Sequence, residues 1–329
     1  MLPRALRLTL SIAAACSSTS ASSPPPPTQQ EPSFSRLFDD GGYMATLYAQ
    51  TTDGVFYDCF YDAVLDLPAG CAGPLQVPSD IVSISSDFLG TRYAAARADG
   101  SVMALLCDDN GSGGYVCDNP WFTVTGVSGI VSVHDQCGIA DDGRVECWGN
   151  ASAPGPFPEP PKRFAGGLVI AASGNLYTMG GTQIAISDTI DATTAPLDDG
   201  NTSCAVKSDS TLLCWGSNAH GSVGDGTTTP RPLPVAIGTG YVAVEAAVSA
   251  AVCAITTDET VDCWGSIVST SDGQVADVTQ PTQVKGLSGV KQIAFARSEG
   301  LAALLESGDI AAVRFPLGSP EIRIVKPKH

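Results

Sequence analysis

The chain has 329 residues, with 17 Lys plus Arg against 34 Asp plus Glu and a formal net charge of −17. That excess of negative charge opposes DNA and anionic lipid surfaces, both of which are bound through Lys and Arg. The 35 Gly and 23 Pro interrupt the chain throughout, and no stretch keeps a helical apolar period, which leaves an all-β architecture of short, turn-bounded strands.

Residues 1–16 read as an export signal: Arg4 and Arg7 precede an apolar run from Leu8 to Ala15. The run is too short to cross a bilayer, which takes about 20 residues. Ala13-Ala14-Ala15-Cys16 is a permissive lipoprotein cleavage box and marks Cys16 for lipidation; an ordinary signal cut near Ala15 or Ala21 is the alternative. Of 11 Cys, setting Cys16 aside leaves 10, an even set suited to disulfides. Loss of Arg4 and Arg7 with the signal leaves 15 basic residues facing 34 acidic ones. Residues 17–33 form a Ser/Pro-rich linker whose Pro run favours extended geometry, a tether between the leader and the folded body.

Residues 34–329 form that folded body, and one domain of that length needs a large sheet count or a toroidal repeat. Three segments align without gaps: Cys137-GIADDGRVE-Cys147-Trp148-Gly149, Cys204-AVKSDSTLL-Cys214-Trp215-Gly216 and Cys253-AITTDETVD-Cys263-Trp264-Gly265. Apolar and polar residues alternate about an Asp-centred turn, the mark of a β-hairpin. A three-residue loop ending in Gly143 puts Cys137 opposite Cys147. Opposed residues at a non-hydrogen-bonded site have Cα atoms roughly 4.5 Å apart, inside the disulfide window. The same register pairs Cys204 with Cys214 and Cys253 with Cys263. Ser210 and Glu259 stand where Gly143 does.

Weaker copies start at Ala49, Ala94, Leu168 and Ala302, giving starts at 49, 94, 137, 168, 204, 253 and 302. Small or Cys residues at the paired positions point to a crowded site where inner strands converge. The 31-residue interval from 137 to 168 is short for four strands and their loops. The C-terminal strand Pro320–Pro327 is expected to complete the first blade and close the ring, removing two exposed edges.

Cys59 with Cys71, and Cys107 with Cys117, lie off this pattern and read as local staples. Five local bridges fit an oxidising compartment. Metal binding by the Cys is not expected, because no CxxC is present. Asp108-x-Asn110-x-Ser112-Gly113 opens like a calcium loop, but Asn119 stands where the bidentate Glu belongs. Gly221, Gly224 and Gly226 lack the Lys and the helix of a phosphate loop. The His residues are His134, His220 and His329, and no nucleophile elbow accompanies them. Paired carboxylates would have to come from scattered Asp residues such as Asp39-Asp40 and Asp198-Asp199, which sit in turn-like contexts. Trp148, Trp215 and Trp264 share one repeat position and are read as packing between blades. Trp121 and Phe122, after Asn119-Pro120, form the candidate aromatic binding patch.

The loop Trp215-Gly216-Ser217-Asn218, Gly221-Ser222-Val223-Gly224-Asp225-Gly226-Thr227 and Pro234-Val235 resembles the regulator of chromosome condensation repeat, and its bacterial exported relatives with a Cys-Trp-Gly segment before the same loop. The resemblance implies a seven-bladed β-propeller with four-stranded blades. A six-bladed ring, with Leu168–Thr178 as an outer hairpin, is the alternative. The implied function is an exported, lipid-anchored scaffold that binds a protein or glycan partner at the cell envelope. It is expected to be a monomer without cofactor, metal, nucleic acid or enzymatic activity, and to touch the membrane only through its anchor. The alternatives are a propeller-type enzyme inhibitor, as among bacterial secreted relatives, and a polysaccharide hydrolase or lyase. The acidic charge and the export signal set aside the chromatin and nucleotide-exchange roles of the family's founding member.

Overall fold

All seven copies fold as hairpins, closed by Asp-Gly in three of them and by Ser-Gly, Asp-Ser or Asp-Glu in the rest. The computed structural model describes residues 33–39, 47–59, 71–72, 80–86, 92–106, 108–109, 115–116, 120–165, 167–186, 189–194, 202–247, 250–268, 275–296, 300–315 and 320–326. Among them there are strands and turns and no helix. Their antiparallel sheets are the seven blades of a ring, a β-propeller.

The first blade comprises Phe34–Asp39, Leu47–Thr51, Phe56–Cys59 and Cys71–Ala72. The second comprises Ile81–Ser86, Arg92–Arg97, Val102–Leu106 and Phe122–Val124, with a small hairpin, Asp108–Asp109 against Tyr115–Val116, between its last two strands. The third has only Ile130–His134, Cys137–Ala140 and Val145–Cys147. The fourth is Pro161–Ala165, Leu168–Ala171, Leu176–Thr178 and Gln183–Ile184. The fifth is Ile190–Thr194, Thr202–Lys207, Thr211–Gly216 and Arg231–Thr239. The sixth is Tyr241–Ala246, Ala251–Thr256, Val261–Val268 and Val275–Gln283. The seventh is Val290–Ala296, Gly300–Leu305, Ile310–Arg314 and Glu321–Val325. The seventh blade confirms the sevenfold count, and Leu168–Thr178 is a central hairpin rather than an outer one.

The turn chemistry explains the register. In the loops at Asp99, Asp142 and Asp209 the carboxylate accepts the N–H two residues on, from Ser101 (2.9 Å), Arg144 (3.0 Å) and Thr211 (3.0 Å). These residues' side-chain and backbone hydrogen bonds hold all three carboxyls below the usual range, Asp209 at about 2. The next residue takes a left-handed conformation and fixes the pairing. Cys137 opposes Cys147, Cys204 opposes Cys214 and Cys253 opposes Cys263, each pair disulfide-bonded with Cα atoms 4.0, 4.1 and 4.1 Å apart. Ala94, Leu168 and Ala302 pair as the sequence predicts, with Ala104, Thr178 and Ala312. The first copy differs: Ala49 opposes Tyr57 rather than Cys59, because Gly54 lies one position nearer to Ala49 than the turn Gly of the other copies does to its start. Cys59 opposes Leu47 on one side and Cys71 on the other in the backbone ladder. The side chains of Cys59 and Cys71, and all of Cys107 and Cys117, lie outside the described residues, so those two staples remain expectations.

The paired Cys sit in the two middle strands of a blade and not at the convergence of the inner strands. The innermost strand is the one before the hairpin. In all seven blades it carries a β-bulge at the second residue: Ser35, Val82, Val131, Lys162, Asp191, Val242 and Lys291. A bulge bends and twists a strand, which suits seven strands converging on one axis.

The core consists of seven apolar clusters, one between each pair of neighbouring blades. The first and last blades meet through Phe34, Leu37, Ala49 and Tyr57 against Ala294, Ala302, Leu304 and Ile310. The Gln292 side chain bridges the same seam, accepting the Leu37 N–H (2.9 Å) and donating to its carbonyl (2.6 Å). This corrects the expected closure. Glu321–Val325 pairs with Ile310–Arg314 in the seventh blade, not with the first, which supplies its own outer strand.

Five blade junctions share one further bond. The first N–H of the inner strand donates to the left-handed turn residue of the preceding blade: Phe34 to Gly308 (2.8 Å), Ile130 to Gly100 (3.0 Å), Ile190 to Gly174 (3.0 Å), Tyr241 to Ser210 (3.1 Å) and Val290 to Glu259 (3.0 Å). Ser210 and Glu259 hold φ values of 65° and 59°, a region that strains residues with a Cβ. Replacing Ser210 by Gly is expected to raise the unfolding free energy by about 0.5–1 kcal/mol, relief of that strain outweighing the extra entropy of a Gly chain. A Cβ on Gly308 would lie 2.5 Å from the Ser33 Cβ at a φ of 79°. Gly308→Ala is therefore expected to lower stability by at least about 1–2 kcal/mol. Urea titration of both variants checks the pair; a neutral Gly308→Ala would remove the proposed importance of this junction.

Candidate functional site

The Trp that follows the second Cys is best understood in the sixth blade, where it is fully covered. Trp264 has no solvent exposure. Its cover is the Gly-rich connection of the fifth blade, between Gly216 and Arg231. Buried Asn218 ties that loop together: its amide donates to the carbonyls of Thr227 (3.0 Å) and Thr229 (2.9 Å), and its oxygen accepts the Val223 N–H (2.9 Å). Asp225 pairs with Arg231 at the loop's base. The Trp264 indole N–H donates to the Ser222 carbonyl at 2.7 Å. A Cβ on Gly224 would stand 2.7 Å from the indole nitrogen, and one on Gly221 2.7 Å from the Thr279 Cα. These glycines are there for close approach to the next blade, with positive φ, and the loop has no phosphate-cradle character.

The other two Trp residues also pack towards the preceding blade, Trp215 against the fourth and Trp148 against the second, but both are only partly buried. The corresponding connection of the second blade also carries glycines, Gly111, Gly113 and Gly114; of it the structure describes the strand pair Asp108–Asp109 and Tyr115–Val116, and residues 110–114 and 117–119 lie outside the described residues. Beside Trp148 lies a groove of about 410 Å³ between the second and third blades. Its apolar surface is Trp148, Val124, Leu106 (44% exposed) and Phe122 (47% exposed). Arg92, Thr123, Thr125, Asp135 and Gln136 supply the polar rim. The rim turn is fastened to the second blade, with the N–H groups of Val133 and Asp135 donating to the hydroxyls of Ser83 (3.1 Å) and Ser85 (3.0 Å). Gly149, at a φ of 65°, leaves room for the Gln136 side chain, whose Nε2 would lie 2.8 Å from an added Cβ.

The structure separates Trp121 from Phe122. Trp121 packs against the cluster between the first and second blades, with Phe38, Phe56, Tyr93 and Leu105. Phe122 turns the other way, into the groove, as neighbouring residues of an extended chain must. Leu106 and Trp148 complete the aromatic and aliphatic surface; sequence reading missed both.

The remaining candidates do not converge. His134 ends the inner strand of the third blade, its ring centroid 5.5 Å from that of Phe164. His220 lies on the surface, 3.0 Å from Asp277; His329 lies outside the described residues. Of the calcium-loop positions, Asn110, Ser112, Gly113 and Asn119 lie outside the described residues, as do Asp40, Asp198 and Asp199. Among the described residues no group of three His, Cys, Asp or Glu could hold a metal.

No family model matches the sequence, and no curated protein matches it. Solved structures similar to it include human WBSCR16, at 14% identity over 86% of this chain and 74% of that one, with a TM-score of 0.43. Yeast RCC1 (Prp20), solved bound to Kap60, matches at 15% identity over 83% and 68%, with a TM-score of 0.41. The computationally designed Ika8 protein matches at 14% identity over 89% and 87%, with a TM-score of 0.47.

Two outcomes check the geometry. In variants that keep a single Trp, Trp148 fluorescence is expected to be quenched by acrylamide several-fold more strongly than that of Trp264; equal quenching would show that the groove is closed. Burial lowers the pKa of His134 below its ordinary 6.5. An unfolded chain then binds the proton more readily, so stability is fully present above about pH 6.5 and falls below it, by up to about 1.4 kcal/mol per pH unit for one group. His134→Asn should reduce that slope in urea titrations across the same range.

Proposed function

We propose that this chain is an exported, lipid-anchored propeller that binds a protein partner at the cell envelope, with the groove between the second and third blades as the contact site. The groove beside the partly buried Trp148 carries the reading. In the sixth blade the same position is sealed by the chain itself, whereas beside Trp148 the large apolar side chains of Leu106 and Phe122 stay exposed. Exposed aromatic and aliphatic anchors with a polar rim are the usual centre of a protein interface. A rigid ring carrying variable loops suits recognition, although the fold alone names no ligand. An inhibitor is one case of this reading, in which the partner is an enzyme.

The envelope placement rests on the leader, on Cys16 and on the disulfides. Three hairpin disulfides fit an oxidising compartment. Among the described residues no helix is long and apolar enough to cross a membrane. Residues 17–33 serve as the tether and residues 34–329 as the monomeric binding body. The acidic chain avoids nucleic acid.

The test has two arms. Cys16→Ser should move the exported protein from the detergent phase to the aqueous phase on cloud-point partition; unchanged partition would remove the lipid anchor. A photo-crosslinking residue at position 122, in intact cells, should trap one envelope protein that the same residue at exposed position 233 does not. Equal products at both positions would remove the groove as the contact site.

A further inference from the structure

Six blades carry a fourth strand, and the third ends at Val145–Cys147. The direction of its open edge is set by the ladder. Cys137 and Cys147, with Cα atoms 4.0 Å apart, form a narrow pair of the non-hydrogen-bonded kind. Gly138 and Glu146 therefore exchange the N–H···O bonds, and Val145 and Cys147 turn their N–H and C=O groups outward. Among the described residues no strand pairs with that edge.

The chain's own continuation does not take the place. From Ala151 it crosses towards the fourth blade, where Ala151 and Phe157 pack into the next cluster and the Gly155 N–H donates to the Met179 carbonyl at 2.8 Å. Pro154, Pro156, Pro158, Pro160 and Pro161 deprive this stretch of the donors that a ladder needs. What covers the equivalent edge elsewhere in the same molecule is extended backbone. In the seventh blade Glu321–Val325 lies there, Arg323 opposite Ala312; in the fifth, Arg231–Thr239.

We propose that the third blade receives an extended segment of the partner protein as its missing fourth strand, a reading that rests on the groove as contact site and specifies its occupant. Trp148, and with it every second position of the edge, faces the second blade. Alternate side chains of an added strand therefore point into the groove, where Leu106, Phe122 and Trp148 favour an apolar anchor. The chain's net charge of −17 favours a segment that is otherwise basic. Backbone bonds supply attachment and the groove supplies selectivity, as in strand-addition recognition generally.

The test uses a displayed library of random decapeptides selected on the full chain, with selected peptides titrated against Val145→Pro and Phe122→Ala. Proline removes an outward N–H and is tolerated at an edge. Selected peptides are expected to alternate apolar with Lys or Arg, to lose at least tenfold in affinity on Val145→Pro with the circular dichroism unchanged, and to slow amide exchange at Val145 and Cys147 at least tenfold. If Val145→Pro does not fold, peptides N-methylated at every second residue replace it and should bind at least tenfold more weakly. Affinity that falls on Phe122→Ala but survives Val145→Pro and N-methylation would overturn strand addition and leave the groove standing. Indifference to every change, or no enriched peptide, would overturn both. A dimer of the chain that protects Val145 without peptide would overturn the partner segment in favour of a second copy.

Discussion

A backbone carbonyl on a left-handed turn residue, receiving the first N–H of the next blade, is the contact on which the ring's geometry depends. It couples a local event to a global one. The Asp side chain and the residue after it close the hairpin and fix which residues oppose each other. The same residue then presents its carbonyl to the following blade. At five junctions that bond is present, at 2.8–3.1 Å. The apolar clusters between blades are non-directional, so at these five junctions the directional bond beside the cluster sets how the blades stand. At the junction from the third blade to the fourth the residue in the donor position is Pro161, which has no N–H to offer, and Gly143 instead lies against Pro160.

The blades are not equivalent, and their differences place the site. Where the fifth blade covers Trp264, the cover is made by backbone pressed close through glycines. Where the second blade meets the third, Trp148 is only partly buried and lines a groove with Leu106 and Phe122. The third blade also lacks its outer strand. One sector of an otherwise regular ring therefore has both an open apolar surface and an open backbone edge, the two things a polypeptide ligand uses.

Much of this was legible in the residues. The three Cys-x9-Cys-Trp-Gly copies and the weaker copies at 94, 168 and 302 fixed the hairpins, three disulfides and six of the seven registers, because a period-two pattern about a short turn leaves few alternatives. The 31 residues between the third and fourth copies, short for four strands and their loops, left a six-bladed ring open, and the structure resolves them as a three-stranded third blade in a ring of seven. The register of the first copy failed where alignment followed Cys59 rather than the turn glycine. Ring closure failed because an amphipathic C-terminal strand reads the same whichever edge it joins. The bulges, one in each inner strand, have no residue type in common, from Ser35 to Lys291, and arise from the curvature of the whole ring. Trp121 and Phe122 looked like one patch because strand alternation is invisible at a loop-to-strand boundary. The groove needed Leu106 and Trp148, which lie 42 residues apart and meet only through the packing of two blades.

Each blade is built from one contiguous stretch of chain, and the ring closes by side-chain packing at a seam like the other six. The architecture therefore has no privileged start. Duplication or deletion of a single segment of gene would add or remove a whole blade without splitting a sheet between the two ends of the protein, and the new ring would need to re-form only one ordinary interface. Chains of this kind can change their circumference in one genetic step, whereas a propeller that shares a blade between its termini must keep both ends in register while it does so.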